Sequence, residues 1–210
     1  MKNSVSLLAD WANGIFAVLV ASYWWGIDPS WWHFAVGLVL SHVPDLDAIP
    51  ELLKRGKVAA SAEHPHDHRE ALHYPIVLIT LAAAVAYSVP YWGTIALVAV
   101  VLHLVNDLYG TGWGIKLFWP ISKRNYKVLG RRVNRLRYIL EQDGDWDTQP
   151  EAERRLKWLV SWSPEELPRY MIRWGIDNWI PKYYFNFTSI SIVECGLFII
   201  AVVLMLIALL

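Results

Sequence analysis

The sequence predicts an all-α fold, an integral membrane helical bundle of about five apolar helices with a cytoplasmic helical subdomain. Three observations lead to this prediction. The 210-residue chain is 55% hydrophobic and only 18% charged, whereas soluble domains contain roughly 25% charged residues. Its apolar residues are concentrated in long runs, and a bilayer-spanning helix needs about 20 such residues. Its 13 Trp and 10 Tyr suit the aromatic belts at membrane interfaces.

Five apolar segments are candidates for membrane helices. In chain order they are Ser6 to Trp25, Trp31 to Val43, Leu72 to Val89, Tyr91 to Leu108 and Ser189 to Leu210. The third and fourth form a helical hairpin, because Pro90 separates them. The second is short and ends at Pro44, so it is either a short span or a re-entrant segment. The first contains Asp10 and has no clear cleavage site, which favours a retained helix over a signal peptide.

The basic residues orient these segments in the membrane. Eight Lys and Arg and no acidic residue lie between Lys116 and Arg137, and the 51–70 loop adds four more basic residues. The positive-inside rule assigns both stretches to the cytoplasmic side. We therefore expect a multi-pass protein with a cytoplasmic N-terminus and an outside C-terminus.

The single cysteine, Cys195, excludes an internal disulfide and a zinc site built on cysteines.

The long polar stretch divides the chain into three parts. Apolar spacing predicts amphipathic helices over Tyr126 to Gln142 and Glu151 to Trp162, and Ser163-Pro164-Glu165-Glu166 predicts the start of a third. The parts are a membrane-embedded domain (1–120), a cytoplasmic amphipathic helical region (121–187) and a C-terminal transmembrane helix (188–210). Basic helices beside a membrane favour membrane lipids as partners, so we expect no nucleic-acid partner. The sequence does not specify the oligomeric state.

His and Asp residues are grouped at the ends of three apolar segments. The groups are Ser41-His42-Val43-Pro44-Asp45-Leu46-Asp47, the Glu63-to-His73 stretch with His64, His66, His68 and His73, and His103-Leu104-Val105-Asn106-Asp107. All three fall at cytoplasmic ends in the orientation derived from Lys and Arg. Ionisable residues in membrane segments are costly and are commonly functional. The three segments therefore deliver His and Asp to one depth.

The spacings within the groups indicate how the side chains meet. His103 and Asp107 are four residues apart, so a helix places them on one face. Asp45 and Asp47 would point the same way in extended backbone. His68 and His73 are five apart, off a common helical face, so we expect a helix to start between them.

Each group taken alone also has a structural explanation. His103 suits a packed, hydrogen-bonded core histidine, and the Asp45-Leu46-Asp47 sequence suits a helix cap and turn. The 64–68 histidines suit a surface loop or a pH-sensitive patch. Their convergence at one depth favours a metal site. A haem bound by His42 and His103 would leave the carboxylates unexplained.

Four motifs in order resemble the YdjM-like bacterial inner-membrane metal-dependent hydrolase family. The family's elements are Pro-Asp-x-Asp, His-Arg-x-x-x-His, His-x-x-x-Asp, and a Trp-Gly segment followed by Trp-Pro. Here they stand as Pro44-Asp45-Leu46-Asp47, His68-Arg69-Glu70-Ala71-Leu72-His73, His103-Leu104-Val105-Asn106-Asp107, and Trp113-Gly114 with Trp119-Pro120. The resemblance covers residues 41–120. It implies a bacterial inner-membrane location, and the orientation derived from Lys and Arg places the metal site on the cytoplasmic side.

The resemblance also implies the site residues and the chemistry. It implies six metal ligands, which are Asp45, Asp47, His68, His73, His103 and Asp107, with Arg69 either supporting a ligand or binding an anion. It further implies a distant similarity to the all-helical zinc phospholipase C and nuclease group, which acts on phosphate esters. Members usually carry Thr-His near the N-terminus, and here the nearest candidate is Asp10.

Two function classes follow from these residues. His and carboxylate ligands without cysteine favour zinc, or zinc with manganese or iron, as one or two ions with Asp47 or Asp107 bridging. We expect a metal-activated water to cleave a phosphoester of a lipid or lipid-linked substrate, with Arg69 and Asp47 as catalytic residues. The alternative is a non-enzymatic membrane protein, a metal or proton transporter or a scaffold, using the same cluster. A transporter should distribute ionisable residues through the whole bilayer depth.

Overall fold

The chain is mostly helical. A computed structural model describes residues 4–58, 61–62 and 68–210. The helices are α1 (Leu8–Trp25), α2 (Trp31–Leu40), α3 (Ile49–Arg55), α4 (Pro75–Ser88), α5 (Pro90–Tyr109), α6 (Arg137–Gln142), α7 (Glu151–Arg154), α8 (Leu167–Trp174), α9 (Trp179–Tyr184) and α10 (Ser189–Ala208). Short 3₁₀ turns cover Ser4–Leu7, Pro44–Ala48 and Ala71–His73. Two strands, β1 (Asn125–Gly130) and β2 (Lys157–Trp162), pair antiparallel.

Each of the five apolar segments contains a helix. Helix α1 packs against α2, α5 and α10, and α4 forms a hairpin with α5. Helices α5 and α10 are long and apolar enough to cross a membrane, whereas α2 and α4 are shorter apolar helices. Because α1 lies against both long helices, it occupies the same layer.

Small residues bring the helix backbones of this layer together. A Cβ atom on Gly14 of α1 would lie 2.6 Å from the carbonyl oxygen of Gly37 in α2, so these two helices touch backbone to backbone. Ala12, Ala17 and Ala21 of α1 are fully buried. Large side chains instead face outward, as on α10, where Ile199, Val203 and Ile207 are exposed. An apolar exterior around a small-residue core suits lipid as the surrounding solvent.

The 121–187 region corrects the all-helical prediction. The helix predicted over Tyr126 to Gln142 is wrong, because that segment holds β1 and only the short α6. The helix predicted over Glu151 to Trp162 is also wrong, because the short α7 is followed by β2. Trp158, Val160 and Trp162 alternate along β2, and short apolar runs of this kind suit either structure by periodicity. The two segments form strands because they pair with each other across a long stretch of sequence, with Asn125 opposite Trp162.

This subdomain has its own core, which is joined to the end of α5. The buried residues that form it are Trp113, Val133, Leu140, Val160, Trp162, Met171 and Trp174. Ahead of α8, the Ser163 N–H donates to Glu166 Oε2 (2.9 Å) and the Glu166 N–H donates to Ser163 Oγ (3.3 Å). These reciprocal hydrogen bonds form the helix start that the sequence predicts there, although α8 itself begins at Leu167.

Candidate metal centre

The ends of three segments meet at one place in the structure. The turn Pro44–Ala48 follows α2 and carries Asp45 and Asp47, the turn Ala71–His73 precedes α4, and α5 carries His103 and Asp107 one turn apart. The six predicted ligands and Arg69 form one cluster, in which each side chain contacts at least one other. Its members are Asp45, Asp47, His68, Arg69, His73, His103 and Asp107. His64 and His66 lie outside the described residues.

Four donor atoms surround a common point. Asp45 Oδ1 lies 3.7 Å from His73 Nε2 and 3.6 Å from His103 Nε2. Asp107 Oδ2 lies 3.2 Å from His73 Nε2 and 3.4 Å from His103 Nε2. A fifth donor, His68 Nε2, is 3.5 Å from Asp45 Oδ1. Two carboxylates and two imidazoles thus alternate around the point.

These donors fit a bound divalent cation. Ligands held about 2.0–2.1 Å from a tetrahedral zinc lie about 3.3–3.4 Å from each other, which is close to the observed separations. His73 Nε2, His103 Nε2 and Asp107 Oδ2 are buried and accept or donate no hydrogen bond within the described part of the chain. Since buried polar atoms are normally paired, three such atoms facing one another indicate a binding site. Asp45, His73 and His103 form one group able to hold a metal, and Asp47, His68 and His73 form a second.

Carboxylates behind the two imidazoles fix their orientation. His73 Nδ1 donates to Asp47 Oδ2 (3.0 Å), and His103 Nδ1 lies 2.8 Å from Asp10 Oδ1. A proton held on Nδ1 leaves the Nε2 lone pair for the metal. Asp10 reaches His103 from α1, so this carboxylate supports a histidine of the cluster from a third apolar helix.

The local geometry of Asp47 differs from the sequence-based expectation. Asp45 and Asp47 were expected to point the same way in extended backbone, and this is wrong, because Pro44–Ala48 is a 3₁₀ turn. Side chains two residues apart in such a turn point about 120° away from each other around its axis. Asp45 therefore faces the four-donor point, while Asp47 accepts hydrogen bonds from His73 Nδ1 and from the Glu70 N–H (3.1 Å).

Arg69 holds the second oxygen of Asp107. Its Nη2 lies 2.5 Å from Asp107 Oδ1, and its Nη1 donates to the Thr111 carbonyl at 3.1 Å. The guanidinium occupies space beside Gly112, where a Cβ atom would lie 2.0 Å from Nη1. Arg69 thereby turns Asp107 so that Oδ2 faces the histidines.

The Trp-Gly and Trp-Pro segment supports the site from outside. Lys116 Nζ donates to Glu70 Oε2 (2.9 Å), and the Tyr74 hydroxyl donates to the same oxygen (2.7 Å). The Trp119 ring stacks on Tyr74 at 4.8 Å between centroids. These contacts hold the backbone that carries His73. The sequence interpretation did not identify Glu70, Tyr74 and Lys116 as supporting residues. Of the three, only Glu70 could have been found from the sequence, because it lies inside the His-Arg-x-x-x-His motif.

The charges of the cluster favour a cation at its centre. Burial lowers the pKa of His73, but the carboxylates of Asp107, Asp45 and Asp47 outweigh it and raise that pKa to about 10. Burial raises the pKa of Asp45, yet the neighbouring imidazoles of His68 and His73 hold that pKa well below its usual range. At neutral pH a proton therefore occupies His73 when no metal does, and metal binding must release it. Metal affinity should consequently fall as the pH falls.

A cavity of about 740 Å³ opens over the cluster. Its polar wall includes Asp45, His68, Arg69, His103 and Asp107. Its apolar wall comes from the Pro44–Ala48 turn, from α3 and from the segment around α9, through Leu46, Ile49, Leu52, Ile176, Trp179 and Ile180. The volume lies within the range of small-molecule sites, about 300–1,000 Å³. The donor cluster is thus open to a ligand with both polar and apolar parts.

We expect Asp10→Asn and Asp47→Asn each to lower metal affinity about 10-fold without changing the number of ions bound. Each change removes the charge that orients one imidazole, while the amide oxygen and, for His103, the Ser41 carbonyl (3.1 Å) remain as acceptors. Competition with a chelating dye gives the affinity, and elemental analysis gives the number of ions. If Asp47→Asn lowered that number by one, Asp47 would be a ligand of a second ion.

The family comparison agrees with a location in the membrane. The sequence model of the YdjM inner membrane protein family matches residues 10–142, which is more than half of the 210-residue chain. Comparison with curated proteins and with solved structures found no match. The matched segment contains Asp10 and every residue of the four-donor cluster. The chain therefore belongs to the YdjM inner membrane protein family.

Proposed function

We propose that this protein is a multi-pass inner-membrane hydrolase that uses a divalent metal, zinc in the first place, to cleave a phosphoester of a lipid or lipid-linked substrate. One observation carries the proposal. The Nε2 atoms of His73 and His103 and the facing oxygens of Asp45 and Asp107 converge. All of these residues except the buried His73 line the floor of a cavity that has an apolar wall. Such a floor suits a phosphate group, and such a wall suits the apolar part of an amphiphile.

The distribution of charge supports a cytoplasmic position for the site. The site lies at the C-terminal end of α5, and Lys116, Lys123, Arg124 and Lys127 follow it directly in the sequence. A basic segment next to a membrane helix favours the cytoplasmic side. The opposite halves of α4 and α5 contain no Asp, Glu, Lys or Arg. This one-sided arrangement favours an enzyme at the headgroup level over a transporter.

The residues of the cluster have two roles in the proposed reaction, holding the metal and orienting its ligands. Asp45, His73, His103 and Asp107 would hold the metal, with His68 within reach, while Asp10, Asp47 and Arg69 orient three of these ligands. A divalent metal bound there supplies a Lewis acid that activates water and offsets phosphate charge. Arg69 also lines the cavity, so its fixed positive charge favours an anionic group beside the ligands.

Metal analysis followed by a hydrolysis screen tests the proposal. We expect detergent-purified protein to contain about one divalent ion per chain and to release phosphate or a phosphomonoester from phospholipid or lipid phosphate. A chelator should abolish this release, and added zinc or manganese should restore it. Protein that cannot be loaded with metal would point to a scaffold. Metal-dependent flux into proteoliposomes without hydrolysis would point to a transporter.

A further inference from the structure

An apolar groove adjoins the metal cavity at the cytoplasmic ends of α1 and α2. It has a volume of about 440 Å³ and is lined by Trp11, Leu38, Val39, His42, Val43 and Leu46. His42 and Leu46 also line the metal cavity. The groove and the cavity therefore meet at these two residues, and every other side chain of the groove is apolar.

Helix packing explains where the groove lies and which way it opens. Helices α1 and α2 touch at Gly14 and Gly37, and the groove begins beside this contact, at Trp11 in α1 and Leu38 in α2. Val39 is 69% exposed and lies on the outer lip. In the described part of the chain, α5 and α10 are apolar enough to span a membrane, and α1 packs on both. We therefore infer that an exposed apolar lip on α2, which packs on α1, faces the hydrocarbon layer. The groove thus lies beside the metal cavity, with His42 and Leu46 in the walls of both.

We propose that this groove binds one alkyl chain of an amphiphilic phosphoester whose phosphate lies at the metal centre. The substrate reaches the site sideways from the bilayer, past Leu46, and not from the aqueous phase. The continuity of an apolar, lipid-facing groove with the donor cluster supports an alkyl chain as the occupant. This inference rests on the proposed function for its phosphate end, and on the groove alone for its alkyl end.

The first test compares substrates that differ only in alkyl length. The probes are 4-methylumbelliferyl alkyl phosphodiesters with butyl or dodecyl chains, presented in mixed micelles at equal surface fraction. We expect kcat/KM for the dodecyl ester to exceed that for the butyl ester by at least about 10-fold. Val39→Trp, which fills the groove, should remove this preference and leave butyl-ester turnover within about twofold. Val203→Trp, at an equally apolar and 50% exposed position on α10, is the matched control and should keep the preference.

The second test does not depend on turnover. Dodecyl phosphate carrying a diazirine on its alkyl chain is photo-crosslinked to the detergent-purified protein, and the labelled peptides are identified by mass spectrometry. We expect labelling around Trp11 and Leu38, and Val39→Trp should reduce it at least about fivefold. Labelling spread evenly over the exposed faces of α4 and α10, or labelling at the groove that Val39→Trp does not reduce, would overturn the inference.

The two tests separate the groove from the proposed function. Labelling of the groove without hydrolysis of any ester would support alkyl-chain binding in the groove and refute the proposed hydrolase activity. Equal hydrolysis of both chain lengths in the wild type and in Val39→Trp would support the proposed hydrolase activity and refute alkyl-chain binding in the groove.

Discussion

His73→Ala and His103→Ala should each yield a protein that inserts in the membrane, binds no stoichiometric metal and hydrolyses phosphoesters on the order of 1,000-fold more slowly. Each change removes one Nε2 donor from the four atoms around the common point. The three remaining donors, with only two carboxylates and one imidazole among them, leave one ligand position empty and hold a divalent cation too weakly for stoichiometric binding. Insertion should persist, because the apolar length of α5 is unchanged.

His33→Ala is the matched control for these variants. His33 is also a histidine in an apolar helix, but it lies in the first turn of α2, at the other end of the bundle, where its Nδ1 accepts from the Ser30 N–H. Its removal should cost about 1 kcal/mol of capping and leave metal content intact. Elemental analysis of the purified variants decides the matter. A full complement of metal in His73→Ala or His103→Ala would refute the assignment of the four donors.

Local spacing predicts the parts of the site that lie on one element. The four-residue interval between His103 and Asp107 places both on one face of α5, as a helical period requires. The same reasoning fails for Asp45 and Asp47, because Pro44 starts a 3₁₀ turn and not an extended segment. Sequence spacing therefore identifies candidate donors more reliably than it assigns the direction in which each one points.

Contacts between distant residues are the part that the sequence does not reveal. Asp10 meets His103 across 93 positions, and Lys116 meets Glu70 across 46; neither pair follows from a period or a motif. The same difficulty applies to the two strands of the subdomain. Strands β1 and β2 are six-residue segments that mix polar and apolar residues, and the pairing between them decides their structure. The membrane helices are easier, since about 20 apolar residues allow few other structures.

Gly112→Ala should lower metal affinity on the order of 100-fold, although Gly112 is not a ligand. A Cβ atom there would lie 2.0 Å from Arg69 Nη1, and the backbone φ of +89° already disfavours any side chain. The loop has little room to move, because the Gly112 carbonyl accepts hydrogen bonds from Lys127 Nζ (3.1 Å) and Asn134 Nδ2. The Arg69 guanidinium must therefore move away from position 112. Asp107 then loses the partner that turns its Oδ2 atom toward the histidines.

Two comparisons isolate this steric effect from backbone strain. Gly144 has a φ of +73° with nothing within 4 Å of a built Cβ, so Gly144→Ala carries similar strain, about 1–2 kcal/mol, and should bind metal normally. Arg69→Ala removes the side chain that alanine at 112 would strike. The double variant should therefore bind metal no more weakly than Arg69→Ala alone, because the two changes act on one contact. If the two losses of affinity added, as measured by dye competition, Gly112 would act on the metal centre by a route other than Arg69.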